Sequence, residues 1–307
     1  MKRFFILASA AIVALASCAK TEVVYKDGPQ EIAFKQVTNV MTKADPEALV
    51  GDMGVYAYTS TNPTPYFGPI KFFQNGTYWT GDPAQYYPLQ TGLDFACYSP
   101  YDAAWGYNNT TQTLTSPLFE DVKSVDILFG EKIYADCGTT DAAVTVLFKH
   151  ALAKVTVNIL SNYPAQIVIN TITLNGVNTK GKLTVDYESD ALASVLWSDT
   201  VPEDYEWTKD TDFNLSETSQ AFGDPIFFIA GYTDFYCQQT SFDVSYTMNG
   251  VTMNAHVDLS TNTDGSYNYW EMGKHYTYTL KADLNEIKLD PKVEVMDIVD
   301  RTPAPAL

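Results

Sequence analysis

Residues 242–259 read Phe-Asp-Val-Ser-Tyr-Thr-Met-Asn-Gly-Val-Thr-Met-Asn-Ala-His-Val-Asp-Leu, and this stretch decides the fold class. Phe242 to Met248 and Val251 to Leu259 are rich in β-branched and aromatic residues, and they alternate with a period of two. Asn249-Gly250 sits between them, a pair that accepts the positive φ values a tight hairpin turn requires. The stretch predicts a β-hairpin. The same texture recurs at Val55 to Tyr58, Val144 to Leu147, Val155 to Ile159, Ile167 to Leu174, Ile226 to Ile229 and Tyr276 to Leu280. Further turn signals stand at Asn75-Gly76, Asn175-Gly176 and Asp264-Gly265. No segment carries a sustained helical stripe, and Ser189 to Leu196 is the best candidate for one or two helical turns. Many short antiparallel strands predict an all-β protein built of β-sandwiches. For a chain of 307 residues, two in tandem fit better than one. The first part is loop-rich and aromatic, with Pro63, Pro65, Pro69, Pro83, Pro88 and Pro100. After Thr139-Thr140-Asp141 the strands alternate more cleanly, which places the boundary between 44–143 and 144–307.

The start of the chain has a different character. Lys2 and Arg3 precede an apolar core, Phe4 to Leu15, and the segment closes on Leu15-Ala16-Ser17-Cys18. This is the layout of a secretory signal over residues 1–17, too short to remain as a membrane span. Small residues ahead of a cysteine resemble a bacterial lipobox, in which Cys18 becomes the first residue and carries lipid on its sulfur and amine. An ordinary cleaved signal with a chance cysteine is the alternative.

Charge excludes one class of partner. The chain has 19 Lys+Arg against 37 Asp+Glu, a net charge of −18, and losing Lys2 and Arg3 takes it to about −20. So acidic a surface repels phosphate backbones, and nucleic-acid binding is not expected. With 46% hydrophobic and 18% charged residues the chain has the material for a core. Beyond Cys18 there remain Cys97, Cys137 and Cys237, in no metal-like spacing: buried free thiols, or one disulfide. Arg3 and Arg301 are the only arginines.

Catalytic constellations are missing. His150, His256 and His275 lie far apart in strand-like runs, where a histidine is ordinarily a packed or edge residue. Asn262, Asp264 and Glu271 faintly match a calcium loop, but the ligand spacing is incomplete and Asp264-Gly265 reads more simply as a turn. No catalytic residue, metal or cofactor is assigned, and a non-enzyme is expected. Tyr66, Phe67, Phe72, Phe73, Tyr78, Trp79, Tyr86, Tyr87, Tyr98, Tyr101 and Trp105 form a dense aromatic set. They either fill a sandwich core, their commoner use, or build a face for sugars or proteins.

Two strand-like segments flank the domains. Glu31 to Val37 precedes the first, and Glu286 to Val295 alternates charged with apolar residues near the end. Pro291 suits an edge strand or a strand in two pieces. Both segments read equally well as ordinary terminal strands.

The order of these features resembles a family. A lipobox and a short pro-segment lead to Gly54-Val55-Tyr56-Ala57-Tyr58. Then come Leu147-Phe148-Lys149-His150-Ala151-Leu152-Ala153-Lys154-Val155-Thr156-Val157 and Trp270-Glu271-Met272-Gly273-Lys274-His275-Tyr276-Thr277-Tyr278-Thr279-Leu280. Together they resemble the fimbrillins of Bacteroidetes, the FimA- and Mfa-like subunits of type V pili, over nearly the whole mature chain. The resemblance implies two tandem transthyretin-like Greek-key sandwiches, export as a lipoprotein to the outer membrane and cell surface, and assembly with other fimbrial subunits. Host or bacterial surface ligands or glycans are further candidate partners. It also implies a pro-segment, 18–43, whose strand (Ile32, Phe34, Val37) is removed by cleavage at Lys43-Ala44. A donor strand with Ile287, Leu289, Val293, Val295 and Ile298 would fill the vacancy in a neighbour. The family's processing protease is often arginine-specific, whereas this sequence has Lys43. Either the protease accepts lysine, or the chain stays anchored as an accessory or tip component.

Overall fold

The computed structural model describes residues 29–35, 47–48, 51–59, 62, 64–76, 78–89, 91–131, 133–135, 143–188, 195–208, 213–230, 240–259, 270–284, 286–289, 294–298 and 301–302. Among them there is no helix, and the fold is all-β. In chain order the strands begin with β1 (Ala33–Lys35), β2 (Glu47–Ala48), β3 (Met53–Tyr58), β4 (Phe67–Asn75), β5 (Tyr78–Asp82) and β6 (Leu93–Ser99). Next are β7 (Gly106–Asn108), β8 (Thr113–Phe119), β9 (Leu128–Gly130), β10 (Ile133–Ala135), β11 (Ala143–Thr145) and β12 (Phe148–His150). Then come β13 (Leu152–Ser161), β14 (Ile167–Asp186), β15 (Val195–Thr208), β16 (Gln220–Ala221) and β17 (Ile226–Ile229). The last are β18 (Ser241–Met248), β19 (Val251–Asp258), β20 (Lys274–Ala282), β21 (Ile287–Leu289), β22 (Glu294–Asp297) and β23 (Arg301–Thr302).

The first sheet runs β11-β1-β5-β4-β3-β6-β9-β12-β23-β2, with β10 beside β6. Only Val146 and Leu147 separate β11, at one end of that order, from β12, third from the other end. The sheet wraps around a core of Ile32, Phe34, Val55, Phe72, Phe95, Val146 and Phe148, among others. A second sheet, β16-β13-β20-β21 with β17 and β22 attached, faces a third, β19-β18-β14-β8-β7 with β15 attached. Their shared core includes Val157, Ile172, Phe228, Phe242, Tyr278 and Leu280. A third core, with Tyr56, Tyr98, Trp105, Leu183, Val185 and Trp197, joins the two halves.

The hairpin of residues 242–259 is present as β18 and β19, in register from Ser241↔Asp258 to Met248↔Val251. Asn249 and Gly250 both have positive φ, 51° and 78°, as the primed turn demands. Asn175-Gly176 behaves differently from its sequence signal. It is no hairpin turn but a bulge inside the 20-residue β14, with a register shift between Leu174 and Val177. Gly176 takes φ 69° and donates its N–H to Asp204 Oδ1 at 3.0 Å, so the left-handed residue kinks the strand without ending it. The bend lets one strand serve both halves: Ile167 to Asn175 pair with β18, and Gly181 to Asp186 with β8. Most of the segment expected to form one or two helical turns, Ser189–Leu196, is not among the described residues. Val195 and Leu196 begin β15, and residues 189–194 lie outside the described set.

Relative to the boundary expected at 143/144, β11 and β12 still pair within the first sheet, and the chain enters the second at Leu152. The far end of the β14–β15 hairpin returns to pack on the first half. β3 shows why this matters. All six residues are buried, with Met53, Val55 and Ala57 in one core and Tyr56 and Tyr58 in the other.

Candidate strand-exchange site

The N-terminal flank is an internal strand. β1 pairs in parallel with β11, Phe34 opposite Val144, and antiparallel with β5, Phe34 opposite Trp79. Ahead of it, Ile32 donates its N–H to Gln85 O at 2.8 Å, and Tyr87 donates to Gln30 O at 2.9 Å. Ile32 and Phe34 are completely buried, while Ala33 and Lys35, which alternate with them, are partly exposed, as expected of a strand. The Phe34 ring meets Phe72 edge-on at 5.2 Å and Phe95 at 5.5 Å between centroids. Offset T-shaped contacts of this kind suit aromatic quadrupoles. Removing β1 therefore leaves two unpaired strand edges, β5 and β11, and an apolar socket for a side chain of about the size of Phe34. Val37 lies outside the described residues, as do Cys18, Lys43 and Ala44.

The C-terminal flank lies on its own molecule as two pieces, on either side of Pro291. Ile287 to Leu289 pair antiparallel with Leu280 to Ala282, and Glu294 to Asp297 pair with Lys274 to Thr277. Ile287 is 5% exposed. Leu289 and Val295 stand opposite the buried Leu280 and Tyr276 in register. Ile298, partly buried, donates its N–H to Gly273 O at 2.7 Å. Lys274 bonds Asp297, and that carboxylate raises the lysine's pKa; the pair is solvent-exposed enough to contribute little. Val293 lies outside the described residues.

Other sequence candidates resolve into packing. Phe72, Trp79, Tyr87, Tyr98 and Trp105 are buried, so much of the aromatic set fills cores, while Tyr66, Tyr78 and Tyr86 are roughly half exposed. His150 is buried with Nδ1 2.7 Å from Asp126, His256 is exposed 2.7 Å from Asp243, and His275 Nε2 meets Thr156 Oγ1 at 2.8 Å. These three histidines belong to separate pairs. Cys97 is a free, buried thiol whose pKa burial pushes upward; Cys137 and Cys237 lie outside the described residues, as do Asn262 and Asp264. Sequence reading missed the socket itself, Phe72, Phe95, Trp79 and Val144, because strands far apart in the chain assemble it.

β1 is thus a strand inserted between two others, and the C-terminal flank is seated on the edge of the second sheet. The fimbrillin-like family model matches residues 38–295. The chain belongs to the fimbrillin-like family. This fimbrillin-like protein therefore sits in a family of cell-surface fimbrial proteins and not of enzymes. No curated protein matches its sequence. Among solved structures, it is similar to a fimbrial protein from Bacteroides vulgatus at 13% identity and TM-score 0.56, covering 88% of this chain and 100% of that one. A candidate cell adhesion protein from Bacteroides uniformis aligns at 16% identity and TM-score 0.58, covering 88% and 99%. One from Parabacteroides distasonis aligns at 12% and 0.56, covering 91% and 98%. At such identities these likenesses speak for the shared β-sandwich fold.

Proposed function

We propose that the protein is a structural subunit of a surface fimbria of the type V kind, polymerised by donor-strand exchange. In this reading it is exported as a lipoprotein on Cys18 and reaches the outer membrane with β1 in place as a plug. Cleavage at Lys43-Ala44 frees the segment before Ala44, β1 leaves, and residues 286–298 of a neighbour enter between β5 and β11. Backbone hydrogen bonds on two edges supply affinity, and alternate side chains in the Phe34 socket set register. One observation carries the reading: β1, which precedes the candidate cut, is hydrogen-bonded on both sides, and with Ile32 just ahead of it buries two core side chains completely. The two halves of the mature chain are proposed as tandem transthyretin-like sandwiches that meet at residues 143–152.

The test compares the chain beginning at Ala44 with the chain that keeps residues 19–43. The first is expected to form oligomers by light scattering, and the second to stay monomeric. Deleting residues 286–307 from the first is expected to abolish them. A shortened chain that remains monomeric at all concentrations rules the reading out.

Lys43 in place of an arginine supports a second reading, in which the segment is retained and the protein anchors or caps a fimbria. Mass spectrometry of the N-terminus of the cell-surface protein separates the two. Ala44 at the terminus favours the subunit, and lipidated Cys18 favours the anchor.

A further inference from the structure

Strands from the N-terminal and C-terminal flanks, β1 and β23, meet on one short stretch, residues 143–150. Its first part, Ala143 to Thr145, pairs with the plug strand β1 in the register Ala33↔Ala143 to Lys35↔Thr145. Its last part includes Phe148, which pairs antiparallel with Arg301 of β23. β23 is flanked in turn by β2, Glu47 opposite Arg301 and Ala48 opposite Thr302. β2 lies four residues beyond the candidate cut at Lys43. Along this stretch Val144, Val146 and Phe148 share one core with Phe34, at 4%, 0% and 0% exposure. The C-terminal segment thus passes from the second sheet, where β21 and β22 lie on β20, to a place between β12 and β2 in the first.

We propose that residues 143–150, with β2 and β23, form a latch that holds the C-terminal strand on its own molecule while the plug is in place. The proposal rests on the strand-exchange reading for its purpose but not for its physics. When β1 leaves, β11 loses one of its ladders and the core loses Phe34, so the stretch that ends in Phe148 loses support at its start. β23 is held by one residue pair to β12 and two to β2. Cleavage also cuts the covalent tie between β2 and β1. Loss of the plug therefore weakens the seat of the C-terminal strand, and one cut prepares both the acceptor groove and the donor. Linkage makes the coupling reciprocal: loosening the C-terminal end also loosens the plug.

The sequence supplies its own reporter. Once the signal is gone, Arg301 is the only arginine, so an arginine-specific endoprotease has a single bond to cut, Arg301–Thr302. A protease binds its substrate as an extended, unpaired strand, and β23 is paired on both sides. The chain beginning at Cys18, in detergent, is treated with such a protease, and release of residues 302–307 is followed by mass spectrometry. Phe34→Ala is expected to speed release about tenfold over the unaltered chain, the scale of an ordinary coupling. Phe242→Ala, which opens a comparable hole in the other core, is the control for general destabilisation. Equal acceleration by both variants, or none by Phe34→Ala, overturns the proposal. Hydrogen exchange on a chain lacking residues 301–307 covers the case in which Phe34→Ala does not fold. Faster exchange at 143–145 and at β1 is expected, and unchanged exchange there overturns the latch. If the coupling is found while the chain beginning at Ala44 stays monomeric, the strand-exchange reading fails and the latch stands.

Discussion

Gly54 shows how single residues hold this fold. Tyr98 stands opposite it in register, and a Cβ on Gly54 would lie 2.0 Å from the Tyr98 ring. Tyr98 is itself fully buried, stacked on Trp105 at 4.4 Å, and its hydroxyl donates to Asp102 O at 2.8 Å. It has no room to retreat. Gly54→Ala is therefore expected to destabilise by about 1–3 kcal/mol, the usual cost of overpacking, read as a lowered urea midpoint with unchanged slope. His275 gives a pH dependence. Its burial, and then the nearby Lys154, lower its pKa, so the fold favours the neutral ring. The unfolded chain takes up a proton near its ordinary value of about 6.5, so this contribution to stability is present above that pH. It is lost as pH falls from there toward the lowered folded value, and is constant below. His275→Gln is expected to lose less stability than the parent between pH 7.5 and 5.5, measured by urea unfolding at both.

At the scale of elements, legibility depends on whether the partner strand is near in sequence. The β18–β19 hairpin is readable because Asn249-Gly250 and two alternating runs lie within 18 residues. The split around Pro291 is also readable, since a proline cannot donate to a ladder. Asn175-Gly176 misleads because the same positive-φ glycine that closes a hairpin also makes a bulge, and only the tertiary register distinguishes them. The placement of β1 is not readable at all. Ile32-Ala33-Phe34 has the pattern of any strand, and nothing local tells an edge from the middle of a sheet. An internal position makes β1 open to competition. A synthetic peptide of residues 29–38 is expected to occupy the vacated groove of the chain beginning at Ala44 and to slow its oligomerisation in a dose-dependent way. The same peptide with Phe34→Asp is expected to have no effect, because an unpaired carboxylate in the socket is costly to desolvate.

Across the whole molecule the long β14–β15 hairpin ties the halves together. Trp197 is 8% exposed and donates its indole N–H to Ala151 O at 2.9 Å, at the point where the chain passes between sheets. Lys123 adds a link, reaching Glu203 of β15 at 3.1 Å from the loop after β8. A β-sandwich type of fold is readable from the many short alternating strands, but this shared layer is not, because β14 runs far beyond the alternating segment that signals it, Ile167 to Leu174. Trp197→Ala is expected to cost about 3–5 kcal/mol in the joining core. It is also expected to split a single thermal transition into two by calorimetry, since the halves keep their separate cores around Phe34 and Phe242.

The central claim is that a neighbour's strand replaces β1, and amide hydrogen exchange at β5 and β11 tests it most directly. Amides of Trp79 and Thr80 in β5 and of Ala143 to Thr145 in β11, the residues in register with β1 in the unprocessed chain, are to be followed in three states: the chain with residues 19–43, the monomer beginning at Ala44, and the assembled polymer. Slow exchange in the first, fast in the second and slow again in the third is the expected result. Polymers in which these edges still exchange as fast as in the monomer would contradict the account, because the subunits would then be joined somewhere else.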